Sequence, residues 1–378
     1  MATSSRVASL DGLRGVAALV VLAHHALLTM SGFAAVYWNL PHPGFVSPWA
    51  YTPLHVVWAG SEAVLVFFVL SGVVLMLPAA RGRPQLWRAY YPSRLVRLYV
   101  PVAFAVVFAL ALARIWPRTT TPDDSPWIQM HQEAPTIAAG LQNLFLLGGT
   151  TWLDSPLWSL RWEVVFSLLL PLYLWVSLRW GGRWWAPIGV VLVALTVAGG
   201  YFGIDALRYL PYFGLGTLVA VKHEELTAIA DRFGTTWRST VLQLAFLIAA
   251  ILALTFTWWP APLLPAALGP LSQVIVPLGA TAVVVAVICL PIVRRAMSSR
   301  VLLAAGTISF SLYLVHEPIL VTLAVVMPPD MSWAPPLIGV PLALLAGWLF
   351  YLLVERNTHR LARRVARLLT PRKVHADA

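Results

Sequence analysis

The sequence predicts an all-α, polytopic membrane fold, and three observations carry the prediction. Hydrophobic residues make up 59% of the chain and charged residues only 11%, outside the balance of a soluble globular domain. Ten apolar runs are long enough to cross the ~30 Å hydrocarbon layer of a bilayer. Lys and Arg collect in every second connection between those runs, the asymmetry that marks cytoplasmic loops.

In chain order the runs lie near 13–31, 57–78, 98–116, 157–178, 185–202, 207–222, 240–258, 274–293, 303–325 and 336–354. The first resembles a secretion signal, but Arg14, His24 and His25 inside it argue against removal. Segment 137–148 is too short to cross and reads as an outer-loop or re-entrant piece. Gly199, Gly200 and Gly203 leave only a short turn between the fifth and sixth runs.

Arg81, Arg83, Arg88, Arg94, Arg97, Arg179, Arg183, Lys222, Arg232, Arg238, Arg294, Arg295 and Arg300 then fall on one side, with the basic tail. Both termini are therefore expected in the cytoplasm, the chain crossing the plasma (inner) membrane several times. The net charge of +11 follows from this topology and from contact with anionic lipid, and no nucleic-acid module is visible.

The whole chain, 1–378, reads as one membrane domain ending in a basic amphipathic tail, 356–378. In that tail Leu361, Val365, Leu368 and Leu369 form a stripe among arginines, as in an interfacial helix. The outer loops 32–56 and 117–156 are long and read as wet connectors. Tryptophans such as Trp38, Trp49, Trp58, Trp180, Trp184, Trp185, Trp258 and Trp259 cluster near span ends, as interfacial anchors do. Cys289 is the only cysteine, so there is neither a disulfide framework nor a thiol metal site, and no metal is expected.

Ionisable residues inside the spans are costly and point to a pathway or a catalytic site. Arg14 and His25 stand eleven residues apart, three turns at 3.6 residues each, on one helix face; His24 is rotated away. Counted at about 1.5 Å per residue, His25 and Glu163 lie roughly 9 Å, and His316 roughly 13 Å, from the outer surface. A shared layer would let Glu163 orient a histidine that acts as a general base. Three separate interhelical hydrogen bonds remain the alternative. Arg94 and Arg97, one turn apart before the third span, form a pair that chelates phosphate. Ser71 has no partners for a nucleophile triad, and Ser71-Gly72 instead suits close helix approach.

Leu10-Asp-Gly-Leu-Arg-Gly, the Arg14 to His25 spacing, Phe67-Phe-Val-Leu-Ser-Gly, Arg94-Leu-Val-Arg, Leu157-Trp-Ser-Leu-Arg-Trp-Glu and Ser309-Phe-Ser-Leu-Tyr-Leu-Val-His together resemble the integral-membrane acyltransferase type 3 family. The motifs run in the expected order over roughly residues 6 to 355. The resemblance implies a ten-helix enzyme moving an acyl group, often acetyl, from cytoplasmic acyl-coenzyme A to a hydroxyl of an envelope carbohydrate. It implies an essential histidine at His25, coenzyme contacts at Arg14, Arg94 and Arg97, and an active-site acid at Glu163; Ser71, Ser159, Tyr313 and His316 are candidate supporting residues beside them. His25 either deprotonates the acceptor or accepts the acyl group itself. Tyr313 is a candidate oxyanion donor, though a core or interfacial tyrosine reads equally well. The chain departs from the pattern at Leu65, where relatives often carry an acid and Glu62 stands three residues earlier, and at Asn357, where a proline is common. The alternatives are acylation of a macrolide-like metabolite and, from another class, a proton-coupled transporter; no internal repeat favours the latter.

Overall fold

The computed structural model describes residues 8–132, 134–230, 232–233, 236–263, 269–328 and 331–370. Helix α1 (Ala8–Leu28) is joined through the short α2 (Ser31–Tyr37) and α3 (Ser47–Ala50) to α4 (Gly60–Ala80). Helix α5 (Trp87–Ile115) precedes the short α6 (Pro126–Gln129) and α7 (Ile137–Phe145), and then α8 (Leu157–Trp180). Next come α9 (Trp185–Phe202), α10 (Asp205–Val221), α11 (His223–Ala230), α12 (Trp237–Leu254), α13 (Leu271–Cys289) and α14 (Pro291–Met297). Helices α15 (Arg300–Val326), α16 (Ala334–Phe350) and α17 (Arg356–Leu368) close the chain, with no strand among the described residues.

Nine helices among the described residues are long and apolar enough to cross a membrane, so the protein is an all-α, multi-pass membrane protein. The remaining expected span, 207–222, is α10, which has 17 residues and is about 26 Å long at 1.5 Å per residue. Its residues from Pro211 to Ala220 are all buried, because α4, α8, α9 and α13 surround it. The turn before it is tight: α9 ends at Gly203, whose φ of 67° is a left-handed conformation that glycine adopts at little cost.

Close backbone approach sets the packing. A Cβ on Gly72 would lie 2.1 Å from the Phe213 carbonyl oxygen, and one on Gly216 2.0 Å from that of Val69, so α4 and α10 touch through their backbones. Helix α1 meets α15 in the same way, a Cβ on Gly306 falling 2.0 Å from the Asp11 carbonyl oxygen. The largest core, with Val69, Phe166 and Phe213 at its centre, lies between α1, α4, α8, α10 and α13.

Three elements depart from the sequence reading. Helix α5 begins at Trp87, well before residue 98, so Arg94 and Arg97 lie two to three turns inside the spanning helix and not just ahead of it. The tail is no separate surface helix: α16 runs through a π turn at Tyr351–Glu355 straight into α17. There Leu361 and Leu368 stay exposed, while Thr358 and Ala362 are buried where α17 packs on α5; residues 371–378 of the tail lie outside the described residues. Loop 117–156 is not a wet connector, since Trp127, Ile128, His131, Leu153 and Asp154 are buried.

Candidate active site

Two cavities enter the bundle from opposite ends. The larger, about 660 Å³, lies between the start of α1, the end of α4, the start of α5 and α17. Arg14, Arg94 and Arg97 line it, and Arg81, Arg83 and Arg363 stand at its mouth. The start of α1 and the helix at the chain's end therefore lie at the same end of the bundle.

The arginines are tolerated inside helices because neighbouring helices supply carboxylates. Arg94 pairs with Glu163 of α8, and its Nε donates to Ser167 Oγ at 3.1 Å. Ser71 Oγ donates to the same carboxylate at 2.7 Å. Arg14 and Arg97 both act electrostatically on Glu355, which also accepts from Ser311 Oγ at 2.6 Å. A guanidinium presents five N–H donors in a rigid fork that suits a phosphate. Ser71, expected as no nucleophile, is a buttress for Glu163, and its neighbour Gly72 makes the close approach to α10.

The second cavity, about 380 Å³, lies at the other end and holds His25. Trp38, Trp127, Trp152 and Trp158 form much of its wall. His25 Nδ1 lies 2.9 Å from His316 Nε2, and His316 Nδ1 lies 3.0 Å from the Leu312 carbonyl oxygen. The carbonyl only accepts, so His316 carries its proton on Nδ1. Its Nε2 then accepts, His25 must donate from Nδ1, and His25 Nε2 is left with a lone pair. That is the tautomer a general base needs.

His24 donates from Nδ1 to the Trp58 carbonyl at 2.9 Å and stacks on the Trp58 ring at 5.8 Å. The helical phase thus separates the partners of the two histidines, but not their access, for both line the cavity. The expected layer of His25, Glu163 and His316 divides. His25 and His316 meet, whereas Glu163 faces the basic cavity and Arg94.

Val64 and Tyr313 line both cavities and form the partition between them. The Tyr313 hydroxyl donates to the Pro156 carbonyl at 2.9 Å and pairs with Ser159 Oγ at 2.7 Å. As an oxyanion donor it would first have to release the Pro156 carbonyl, which holds its one O–H.

Two tryptophans expected as anchors serve the interior. Trp58 is fully buried against His24, and Trp258 donates from Nε1 to Glu62 at 2.9 Å while stacking on His55 at 4.4 Å. Glu62, the acid nearest to Leu65, is thereby engaged beside the cavity wall.

The sequence reading did not use Glu317, His131, Trp127 and Ser155. Glu317 accepts from Ser155 and lies 2.8 Å from His131 Nε2, immediately after His316. A carboxylate within the ninth apolar run was the signal available for it. Burial and the neighbouring Glu317 hold the adjacent Asp154 carboxyl well above the usual carboxylate range, against the pull of Arg118. Among the described residues no three His, Cys, Asp or Glu side chains are grouped to hold a metal ion.

The family model described as "Acyltransferase domain" matches residues 7–353, nearly the whole chain. The chain belongs to this acyltransferase family. It is an enzyme, a membrane acyltransferase, as the resemblance of its motifs implied. It is similar to Acyltransferase MdmB of Streptomyces mycarofaciens, with 27% identity over 341 residues, 82% of this chain and 78% of the relative. No solved structure matches it. The matched region ends three residues before α17, the helix that carries Arg363 to the mouth of the basic cavity.

Proposed function

We propose that this acyltransferase carries an acyl group, acetyl in the simplest case, from cytoplasmic acyl-coenzyme A to a hydroxyl presented at the opposite membrane face. The basic end of the bundle faces the cytoplasm, in keeping with the positive-inside distribution of Lys and Arg. The coenzyme phosphates dock on Arg14, Arg94 and Arg97, with Glu163 and Glu355 orienting the guanidinium groups. The pantetheine arm then points the thioester toward the partition at Val64 and Tyr313.

At the far side His25 Nε2 takes the proton of the acceptor hydroxyl, and the oxygen attacks the thioester carbonyl carbon. Collapse of the tetrahedral adduct breaks the C–S bond. The thiolate leaves and takes the proton back from His25, so the histidine is restored in each cycle. The acceptor is a sugar hydroxyl of an envelope glycan. Ring faces of sugars suit the tryptophan wall of the second cavity, and an acceptor outside the cytoplasm has access from that end.

The single observation that carries this reading is the His25–His316–Leu312 chain, which leaves a basic lone pair in a cavity sharing a partition with a phosphate-binding one. The test is transfer of radiolabelled acetyl from acetyl-coenzyme A in nanodiscs. It is paired with mass spectrometry of envelope glycans and metabolites from cells with and without the gene. A glycan acyl mass lost with the gene supports the reading; loss confined to an intracellular metabolite refutes the acceptor, and absence of any coenzyme-dependent transfer refutes the donor.

A further inference from the structure

His25 is held from two directions, and both holds lead to one carboxylate. In the ring plane its partner is His316, next in sequence to Glu317. Over its face lies Trp127, with ring centroids 5.5 Å apart and an interplanar angle of 26°. Trp127 belongs to α6, a four-residue turn in loop 117–156, which has no helical cooperativity of its own and needs external ties.

The structure supplies two such ties. Ser125 caps the turn by accepting from the Ile128 N–H and donates to the Leu28 carbonyl at 2.7 Å, fastening it to the end of α1. His131, one turn after Trp127, donates from Nδ1 to the Trp127 carbonyl at 2.8 Å. Its Nε2 lies 2.8 Å from Glu317 Oε1. The same carboxylate accepts from the backbone N–H and the hydroxyl of Ser155, at the other end of the loop.

Glu317 and His131 are at most 1% exposed. A carboxylate so deeply buried is costly and is kept only where its lone pairs are satisfied. Here three groups satisfy them, all on the loop that covers the His25 cavity. They are the Ser155 N–H and hydroxyl, and His131 paired as an imidazolium that gives one N–H to the Trp127 carbonyl and the other to Glu317. A purely apolar contact would close the loop with less desolvation. The charge adds directional bonds that fix where Trp127 lies.

We propose that Glu317 is a positioning residue for the transfer reaction: through His131 and Ser155 it clamps loop 117–156 so that Trp127 lies across the catalytic face of His25 and walls the acceptor cavity. This rests on the donor and acceptor reading given above, but the clamp itself is testable without substrate. Glu317 touches no reacting atom. Trp127, by contrast, lies against both the base and the acceptor, and so governs which acceptors reach His25.

The test compares the full-length wild type with Glu317→Gln, Ser155→Ala and Trp127→Ala in nanodiscs. Backbone hydrogen exchange over residues 125–132 is expected to rise about tenfold in Glu317→Gln and Ser155→Ala, because local opening there loses its ties, with the spans unchanged. With acetyl-coenzyme A as donor and p-nitrophenyl glycosides as acceptors, kcat is expected to fall roughly 10- to 100-fold in Glu317→Gln, the scale of a misplacement near 1 Å. The donor KM should stay within about twofold of wild type, since the basic cavity is untouched. Trp127→Ala should reproduce the kinetic loss and change which glycosides are accepted, without disturbing the His131–Glu317 pair.

Wild-type exchange and wild-type kcat in Glu317→Gln would overturn the clamp, and so would an unaltered acceptor preference in Trp127→Ala. If Glu317→Gln fails to fold, Ser155→Ala and Trp127→Ala carry the test alone. A wild-type enzyme that transfers no acetyl group from acetyl-coenzyme A refutes the donor reading, whereas the exchange experiment still judges the clamp.

Discussion

Removing the two cavity histidines separately should distinguish the base from the residue that orients it. His25→Ala deletes the lone pair that takes the acceptor proton, and general-base contributions run to about 10²- to 10⁴-fold in turnover. His316→Phe keeps an aromatic ring and removes both the acceptor of the His25 Nδ1–H bond at 2.9 Å and the donor to the Leu312 carbonyl. A hydrogen bond of this kind is worth about 0.5–1.5 kcal/mol, which at 298 K is a bias of roughly 2- to 13-fold toward the reactive tautomer. His316→Phe should therefore slow turnover by about that factor, roughly two to three orders of magnitude less than His25→Ala. His24→Ala should behave differently again. It loses the bond to the Trp58 carbonyl and the stack on that ring, so it lowers thermal stability more than turnover. The assay is coenzyme A thiol release in nanodiscs at saturating acetyl-coenzyme A, with variants matched for expression and melting temperature. A His25 variant near wild-type activity, or a His316 variant as inactive as His25→Ala, would refute the tautomer argument. The second result would make His316 the base.

Arg94→Ala and Arg97→Ala should each raise the donor KM, by an amount corresponding to roughly 1.5–3 kcal/mol for a lost charge-assisted phosphate bond, with partial rescue by Lys. Donor titrations check this, and an unchanged KM in both would return these arginines to topology alone. Glu163→Gln should raise the same KM, because Arg94 loses the partner that orients it; a change confined to kcat would instead assign Glu163 to the chemistry. Reporter fusions at residue 130 and after the last residue should report opposite sides of the membrane, and a shared side would overturn the proposed orientation. Asp154 is protonated more readily in the folded than in the unfolded chain, so folding is most favoured below the unfolded carboxyl pKa of about 3.9 and weakens as pH rises through the elevated folded pKa. Asp154→Asn mimics the protonated form and should flatten that loss in melting temperature as pH rises.

The fold was readable where a single chain property decides it. Apolar length set the spans, the glycine-rich turn at Gly203 set the hairpin of α9 and α10, and Arg14, Arg94 and Arg97 marked the basic end. The histidine pair was readable as well, since His25 and His316 were placed at similar depth from residue counts. What resisted reading depends on helix rotation and tilt, which hydropathy leaves undetermined. Depth alone places Glu163 in the histidine layer, yet its side chain meets Arg94, which residue counting sets just ahead of the third span. Hydropathy ended the third run at Arg97 because it scores each arginine as exposed, whereas Glu163 and Glu355 neutralise them from other helices. Trp58 and Trp258 lay at span ends as anchors do, and only the packing of α4 against neighbouring segments turned them inward. Loop 117–156 resisted for the same reason: its buried residues have partners more than 90 positions away, such as Leu28 for Ser125 and Glu317 for His131.

The partition at Val64 and Tyr313 has a consequence for how the cell spends its activated acyl groups. If donor and acceptor dock as proposed, neither has to cross the membrane, because Val64 and Tyr313 stand between the two cavities. On that reading only the acyl fragment passes, and Val64 stands where it must pass. Chain length is then measured at the wall itself, and a smaller residue at 64 would admit longer acyl groups without altering either docking cavity.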